Sequence, residues 1–239
     1  MTRYTAVITG GNKGIGADLA GAMLERGWRV VSLARHKGAD TRVEHVICDL
    51  SDAAAVTQAG ADIAARHDVT HFVQNAGIIL PALIEDARPD EMLALTQLHL
   101  ASALTLTQAF LPAMKARRFG RVLFNASRAA LGARTRTAYS ASKAGMIGMA
   151  RTWALELAGH GITVNVVAPG PILTDNFWGI VPRGSDQESD LASRIPVGRL
   201  GVVGDVTRAF MFLADPDQGF ITGQTLFVCG GASIGTVPI

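Results

Sequence analysis

The chain alternates short apolar runs with longer stretches of helical periodicity, and this alternation constrains its fold more than any other feature. Seven apolar runs have the length of strands, at residues 5–9, 29–33, 44–48, 71–74, 122–125, 163–167 and 225–228. Five helical stretches lie between them, at residues 14–26, 53–66, 90–117, 138–158 and 205–214. Because strands that alternate with helices pair in parallel through right-handed crossovers, the pattern predicts a doubly wound α/β domain. We expect one parallel sheet of about seven strands with helices on both faces.

The whole chain, residues 1–239, is predicted to form this single domain, since its length fits one α/β unit and no repeat or linker divides it. One irregular stretch, at about residues 171–196, carries Phe177 and Trp178 among polar residues, glycine and proline. Loops of that length in compact domains often cover an active site. We therefore predict a substrate lid there; the alternative is a plain surface excursion.

A glycine-rich turn separates the first predicted strand from the first predicted helix. It reads Thr9-Gly10-Gly11-Asn12-Lys13-Gly14-Ile15-Gly16. Glycines allow a tight turn and close approach of a ligand, and the unpaired N–H groups of a helix start attract a pyrophosphate. In this context the turn predicts a dinucleotide-binding fold of the Rossmann type, although a glycine turn without a ligand is the alternative. The expected cofactor contacts in the turn are Gly10, Asn12, Lys13, Gly14, Ile15 and Gly16.

The end of the second predicted strand distinguishes the two nicotinamide dinucleotides. NAD-binding folds usually place an acidic residue there, on the ribose 2′-hydroxyl. This chain has Ala34 at that place and Arg35 directly after it. An arginine can form a charge-assisted fork to the 2′-phosphate of NADP, and Lys13 can add a second positive charge. The pattern predicts NADP(H) as the cofactor, unless Arg35 and Lys37 are solvated loop charges.

Tyr139 and Lys143 are four residues apart in a helical stretch, which places both on one helix face. A phenol has an unperturbed pKa near ~10, and a nearby ammonium lowers that pKa by stabilising the phenolate. Ser127 follows a predicted strand, and α/β sheets bind ligands at the carboxyl ends of their strands. A Tyr-x-x-x-Lys pair alone is common on helix surfaces. It indicates a catalytic site here because Ser127 occurs with it at a predicted strand end.

Together these motifs resemble the short-chain dehydrogenase/reductase family. The matching elements are Thr9-Gly10-x-x-x-Gly14-Ile15-Gly16, Asn75-Ala76-Gly77, Ser127, Tyr139-x-x-x-Lys143 and Pro169-Gly170. They occur in the family's order and approximate spacing. The resemblance extends to Gly223-Gln224 and Gly230-Gly231, so it covers essentially the whole chain.

The resemblance implies a role for each matching residue. Tyr139 would donate the proton in reduction and accept it in oxidation, Lys143 would lower the tyrosine pKa and hold the nicotinamide ribose, and Ser127 would hydrogen-bond the substrate oxygen. The implied cofactor contacts outside the glycine turn are Arg35, Asp49, Leu50, Asn75, Ala76, Gly77, Tyr139, Lys143, Pro169, Gly170, Ile172 and Thr174. Asn75 and Gly77 could equally serve to hold the sheet together.

Two positions depart from the family's pattern. The family usually has an asparagine on the long fourth helix, where this chain has His99 followed by Leu100. The closing segment often carries an aspartate before its Gly-Gly pair, where this chain has Cys229. An imidazole can hold a water as an asparagine can, so we predict that His99 takes over the proton relay and titrates near pH ~6.5. A core histidine with local bonds is the alternative.

The implied activity is an NADPH-dependent oxidoreductase that reduces a ketone or other carbonyl to a secondary alcohol, reversibly. A 3-oxoacyl-carrier-protein reductase and a sugar or steroid dehydrogenase stay open as alternatives. A cofactor-binding regulator without catalysis is disfavoured by the intact Ser127, Tyr139 and Lys143.

Basic residues suggest two kinds of partner. Lys115, Arg117, Arg118 and Arg121 could receive an acidic acyl carrier protein, or could simply be a solvated helix end. Arg128, Arg134 and Arg136 lie between Ser127 and Tyr139 and hint at an anionic substrate. Because family members often form tetramers, we expect a homo-oligomer with a tetramer favoured.

Composition and charge disfavour other classes of function. The net charge of +2 is too small to indicate binding of nucleic acid or membrane. No apolar run reaches membrane length, and a strand pattern starts at Tyr4 without room for a signal peptide. Cys48 and Cys229 lack metal-binding spacing and are expected to be buried reduced thiols. We expect a cytoplasmic protein that binds no metal and acts on a small molecule.

Overall fold

The computed structural model describes residues 4–234, which contain one seven-stranded sheet whose paired strands are all parallel. The strands, in chain order, are β1 (Thr5–Thr9), β2 (Arg29–Ala34), β3 (Glu44–Ile47), β4 (His71–Gln74), β5 (Gly120–Asn125), β6 (Ile162–Pro169) and β7 (Thr225–Val228). Their order across the sheet is β3-β2-β1-β4-β5-β6-β7. The predicted doubly wound sheet is confirmed. Its strand order reverses between β1 and β4, where such sheets open a crevice for ligands at the carboxyl ends of the strands.

The helices of the described residues are α1 (Gly14–Glu25), α2 (Ala53–Arg66), α3 (Pro89–Thr96), α4 (Ser102–Arg117), α5 (Thr137–Leu157), α6 (Asp175–Trp178), α7 (Asp186–Ser193) and α8 (Val203–Ala214). Two 3₁₀ turns, at Arg128–Leu131 and Ala158–His160, accompany them. None of the helices within residues 4–234 has both the length and the apolar character that a membrane crossing requires.

Alternate residues of each central strand enter one of two hydrophobic cores. Ala6 and Ile8 of β1 pack with α1 and α8, whereas Val7 packs on the other face with α2, α4 and α5. All five residues of β1 are buried, as expected of a strand that is covered on both faces. This double coverage explains why the central strands are almost entirely apolar in sequence.

Two regions differ from the expected element pattern. The stretch predicted as one helix over residues 90–117 is interrupted by a π-helical turn at Gln97–Ala101, between α3 and α4. Such turns are rare and occur frequently at functional sites. The irregular stretch at 171–196 contains the two short helices α6 and α7. Cys48, which falls in the predicted third strand, instead directly follows β3, and Cys229 directly follows β7; both are buried and free, as expected.

Candidate active site

A cavity of about 790 Å³ brings together almost all of the residues that the sequence singled out. It is lined by Gly10, Asn12, Lys13, Gly14, Ile15, Arg35, Asp49, Leu50, Asn75, Ala76, Gly77, Ser127, Tyr139, Lys143, Pro169, Gly170, Ile172 and Thr174. Two predicted site residues, Gly16 and His99, do not line it. Ile78, Ile79 and Ile180 line it as well and were not predicted, because isolated apolar residues in loops carry no distinguishing signal.

The glycine turn forms one end of the cavity. Gly10 and Gly14 have φ of +66° and +52°, a left-handed conformation that residues with a Cβ rarely adopt. Within residues 4–234, the side chain of Lys13 at the start of α1 makes no capping hydrogen bond, so the first N–H groups of the helix can bind an anion. Gly16 is buried behind the turn, where a Cβ would overlap the carbonyl oxygen of Gly10. Its role is therefore to let α1 pack against the turn, and the predicted direct cofactor contact of Gly16 has no support in the cavity lining.

Arg35 follows directly after β2 and lines the cavity as an exposed side chain. Asp49 follows β3, and its Oδ1 accepts a hydrogen bond of 2.9 Å from the backbone N–H of Ser51. The neighbouring Leu50 is buried and also lines the cavity. This placement puts Arg35 and Asp49 at the ends of adjacent strands, as expected for the adenosine part of a dinucleotide.

Asn75 connects three strand ends. Its Nδ2 donates to the carbonyl oxygens of Thr9 at 2.9 Å and Gly10 at 3.3 Å. Its Oδ1 accepts from Nδ2 of Asn125 at 2.8 Å. Asn75 thereby ties β1, β4 and β5 together at the floor of the cavity, so it holds the sheet as well as lining the site.

Ser127, Tyr139 and Lys143 converge at the end of β5. Ser127 Oγ accepts a hydrogen bond of 3.1 Å from the N–H of Ala129 and hydrogen-bonds Tyr139. Lys143 Nζ donates to the carbonyl oxygen of Asn125 at 2.6 Å and lies 5.5 Å from the centroid of the Tyr139 ring. The three side chains can thus face one substrate oxygen and the adjoining cofactor.

The pKa values at this site differ from the sequence-based expectation. Burial raises the pKa of Tyr139, against lowering contributions from the Ser127 hydrogen bond and the charge of Arg136. The net shift is upward, opposite in direction to the lowering expected from Lys143, and that role of Lys143 stays a prediction. Burial also lowers the pKa of Lys143 to about 7. At neutral pH the phenol therefore keeps its proton, whereas the lysine titrates in the neutral range.

His99 lies in the π-helical turn behind the cavity wall and is completely buried. Its Nδ1 is 2.8 Å from Oγ of Ser142, and that hydroxyl donates to the carbonyl oxygen of Tyr139 at 2.9 Å. Ser142 has one hydroxyl proton, which it donates to the carbonyl oxygen of Tyr139. In the hydrogen bond between His99 and Ser142, the donor is therefore the Nδ1–H of His99. The Nε2 of His99 is then an acceptor.

That Nε2 has no hydrogen-bond partner among the described residues. A Cβ on Gly77 would lie 2.9 Å from Nε2 of His99 and 3.4 Å from Nζ of Lys143. The two nitrogen atoms therefore flank the same position beside Gly77. Burial, followed by the charge of Lys143, lowers the pKa of His99 to about 2. The expected titration of His99 near neutral pH is therefore wrong, since the ring stays neutral throughout the usual working range. Ser142 was not predicted, because one more serine in Tyr139-Ser140-Ala141-Ser142-Lys143 carries no signal of its own.

Pro169, Gly170, Ile172 and Thr174 form the wall at the end of β6. The Gly170 N–H donates to the carbonyl oxygen of Val228 at 3.0 Å, and a Cβ on Gly170 would lie 2.9 Å from Cα of Cys229. Thr174 Oγ1 accepts from the N–H at the start of α6. These contacts hold the end of β6 against the residues at the end of β7, and they fix the start of the stretch at 171–196 beside the cavity.

The basic residues fall into two groups. Arg128, Arg134 and Arg136 line the cavity. The other group lies near the amino end of β5, whereas the cavity lies at the carboxyl ends of the strands. Its exposed members are Lys115, Arg117 and Arg118.

Arg121 cannot belong to a docking surface. It is only 2% exposed, and its guanidinium donates to the carbonyl oxygens of Gly120, Asp215 and Pro216. The suggestion that Arg121 receives a carrier protein is therefore wrong. It failed because Arg121 was grouped with the basic residues at the end of the preceding helix, whereas it belongs to β5 and three carbonyl groups satisfy its donors.

Comparison with known proteins agrees with this geometry. A family model described as enoyl-(acyl carrier protein) reductase matches residues 10–233. The (2S)-[(R)-hydroxy(phenyl)methyl]succinyl-CoA dehydrogenase subunit BbsD of Thauera aromatica is 36% identical over 243 residues, with 96% of each chain covered. The 3-oxoacyl-[acyl-carrier-protein] reductase FabG of Haemophilus influenzae is 34% identical over 241 residues, which cover 97% of this chain and 98% of FabG.

A solved structure from Beutenbergia cavernae is also similar. It is described as an NAD(P)-dependent gluconate 5-dehydrogenase with NADP bound at low occupancy. It is 32% identical, covers 98% of both chains and superposes with a TM-score of 0.91. The chain belongs to the short-chain dehydrogenase/reductase family, which confirms the family and the oxidoreductase class that its motifs predicted.

Proposed function

We propose that this protein is an NADPH-dependent reductase that converts a ketone to a secondary alcohol and runs in reverse as an alcohol dehydrogenase. The observation that carries this proposal is that Ser127, Tyr139 and Lys143 line the same cavity as the glycine turn and Arg35. The cavity fits a dinucleotide, since it extends from the strand ends of β2 and β3 to that of β6. The NADP in the Beutenbergia cavernae structure adds support for the cofactor.

The side chains supply the acid–base part of the reaction. When bound, NADPH would supply the hydride for the carbonyl carbon, with NADP⁺ as its oxidised form. Tyr139 donates its phenolic proton to the carbonyl oxygen, which completes the alcohol. Ser127 stabilises the oxygen as negative charge develops on it. Because burial raises the pKa of Tyr139, the phenol is protonated and ready for reduction at neutral pH.

Cofactor placement follows from the same lining residues. The N–H groups at the start of α1 would bind the pyrophosphate, and Arg35 with Lys13 would bind the 2′-phosphate. Lys143 would hold the nicotinamide ribose, and the segment at 171–196 would act as the substrate lid. Pro171, Phe177 and Ile180 of that segment line the cavity, which supports this assignment.

The direct test is NADPH oxidation by the purified full chain with a panel of ketones, followed by absorbance, with NADH in parallel. We expect turnover with NADPH for at least one ketone and a higher kcat/KM than with NADH. Absence of turnover across the panel, together with unchanged tight binding of NADPH, would favour the non-catalytic regulator instead.

A second candidate, 3-oxoacyl-[acyl-carrier-protein] reductase, is favoured by the similarity to FabG. Three basic residues proposed to bind the carrier lie near the start of β5: Lys115, Arg117 and Arg118. The six residues of β5 span about 20 Å at ~3.3 Å per residue, and Ser127 follows the other end of this strand. Comparing a 3-oxoacyl group on carrier protein with the same group on a short thiol tests this candidate, which requires a clear preference for the carrier.

We also propose a homo-oligomer, with a tetramer favoured. Large apolar side chains such as Leu155 on α5 and Phe220 before β7 are exposed in the single chain, and association would cover such residues. Light scattering of the purified protein measures the mass directly, and a monomer at micromolar concentration contradicts the proposal.

A further inference from the structure

We propose that the carbonyl substrate carries an anionic group, a carboxylate or a phosphate, which Arg128, Arg134 and Arg136 bind at the substrate end of the cavity. This inference rests on the proposed reductase function and adds the charge class of its substrate. Both anions present the planar or multidentate oxygens that a guanidinium fork binds best.

The position of the three arginines separates them from the cofactor phosphate. All three line the cavity and belong to the segment between Ser127 and Tyr139. The strands β2 and β5 are separated by β1 and β4 in the sheet, so their ends are about 14 Å apart at ~4.8 Å per strand. Arg35 therefore serves one anion, and the arginines after β5 face a different one.

These guanidinium groups are also largely free to bind. Within residues 4–234, the guanidinium groups of Arg128 and Arg134 have no hydrogen-bond or ion-pair partner; Arg128 is half-buried and Arg134 is exposed. Arg136 uses only Nη1, which donates to the carbonyl and hydroxyl oxygens of Thr135. Guanidinium donors that the protein leaves unused at the cavity wall are available to form charge-assisted hydrogen bonds with an anionic ligand.

The loop that carries Arg134 and Arg136 is held in place. Thr135, between them, has φ of +63°, a left-handed conformation that is uncommon for a β-branched residue. Its carbonyl oxygen accepts a hydrogen bond of 3.1 Å from the N–H of Ala82, and Ala82 also forms a parallel bridge with Arg136. Backbone strain of this kind persists where the surrounding structure enforces it, and it clusters at ligand sites.

The local charge balance points the same way. Among the described residues that line the cavity, the acidic ones are Asp49, which follows β3, and Asp175 at the start of α6. One carboxylate therefore shares the substrate end with three guanidinium groups. The resulting positive potential would concentrate anionic substrates there and disfavour cationic ones.

Matched substrate pairs test the proposal. Levulinate is compared with its methyl ester, acetoacetate with ethyl acetoacetate, and dihydroxyacetone phosphate with dihydroxyacetone, each with saturating NADPH. We expect at least one anion to have a higher kcat/KM than its neutral partner, chiefly through KM, and the pair that responds identifies carboxylate or phosphate. Reduction of the neutral ketones without preference for any anion overturns the anionic subsite alone. Absence of NADPH oxidation with every ketone overturns the reductase function on which it rests.

Variants then assign the preference to the arginines. For the preferred anion, Arg128→Gln or Arg134→Gln should lower kcat/KM by about 10- to 100-fold, as expected for loss of a charge-assisted hydrogen bond. The neutral partner should change by less than about 3-fold. Arg88→Gln is the control, because Arg88 is exposed, pairs with Asp90 and lies outside the cavity. Equal losses for the anion and its neutral partner would mean that these arginines only maintain the fold.

Discussion

Backbone groups fix much of the cofactor half of the cavity, with the side chains of Lys13 and Arg35 added to them, whereas loop side chains form most of its substrate half. The cofactor half comprises the turn at 10–15 and the ends of β2, β3 and β4. The substrate half comprises residues 128–136 and the start of the segment at 171–196. In the first, left-handed glycines and strand-end hydrogen bonds fix the geometry. In the second, the guanidinium groups of Arg128 and Arg134 have no hydrogen-bond or ion-pair partner within residues 4–234, and the 3₁₀ turn and α6 are short.

The difference separates what the protein shares with its family from what is its own. A dinucleotide offers the same pyrophosphate to every binding site, so the same turn can serve many proteins. A substrate is recognised by side chains whose identity changes without altering the fold. Variants in the two halves should therefore affect cofactor and substrate separately, which can be measured.

Tyr139→Phe should have the largest effect, because it should lower turnover while leaving cofactor binding intact. It removes the transferable proton with almost no change of volume, so kcat should fall by about 10²- to 10⁴-fold, the usual contribution of a general acid. The Kd for NADPH should remain near that of the wild type. Stopped-flow or steady-state turnover gives the first quantity and fluorescence titration the second. A variant with nearly wild-type kcat would remove Tyr139 from the mechanism.

Arg35→Ala should affect the cofactor half alone. The loss of a charge-assisted bond to the 2′-phosphate should lower kcat/KM for NADPH by about 10- to 100-fold and leave NADH use almost unchanged. Lys37→Ala is the matched control, because Lys37 belongs to the same loop and does not line the cavity. Equal losses with NADPH and NADH would show that Arg35 maintains structure rather than binding phosphate.

Gly16→Ala tests whether backbone packing defines the cofactor half. The new Cβ would overlap the carbonyl oxygen of Gly10, and overpacking of this kind costs about 1–3 kcal/mol. Both the free energy of unfolding and the affinity for NADPH should fall. Gly21→Ala is the control on the same helix, where a Cβ meets nothing within 4 Å and alanine favours the helix by up to about 1 kcal/mol. If Gly16→Ala is as stable as Gly21→Ala, the close packing of α1 on the turn does not matter.

The sequence predicted the sheet and most of the cofactor half because both depend on local patterns. Strands β1 and β4 begin and end at the predicted residues, and the turn residues Gly10 and Gly14 line the cavity as expected. These features follow from apolar runs and from glycine placement, which can be recognised within a few residues.

The errors arose where long-range contacts decide the outcome. The π-helical turn at Gln97–Ala101 has no local signature. Arg121 is satisfied by carbonyl groups of Asp215 and Pro216, more than ninety residues away in sequence. The pKa values of Tyr139 and His99 depend on burial, which spacing along a helix does not reveal.

His99 lies behind the cavity wall rather than in either half, and changing it should have the smallest effect of the four substitutions. Its neutral Nε2 faces the same point as Lys143 Nζ, so it can accept a hydrogen bond from the ammonium directly or through a water. We predict that His99→Leu lowers kcat by about 2- to 10-fold, the value of one hydrogen bond, with little change in the Kd for NADPH. His99→Asn, which keeps an acceptor, should retain more activity.

The pH profile distinguishes a relay from a packing role. Burial lowers the pKa of Lys143 from its ordinary 10.5 to about 7, so Nζ carries a proton below that pH and loses it above. Activity that needs the ammonium should therefore fall as pH rises through about 7. Because an acceptor favours the charged form, removing Nε2 should lower the pKa of Lys143 further. In the pH profile of His99→Leu, the fall in activity at high pH should thus move to lower pH, and in His99→Asn it should move less.

The pKa of His99 itself, lowered to about 2, adds no acidic limb to the profile between pH 5 and 8. A leucine variant whose kcat matches the wild type across this range would exclude His99 from the proton path, and a uniform loss without a shifted limb would assign it to packing.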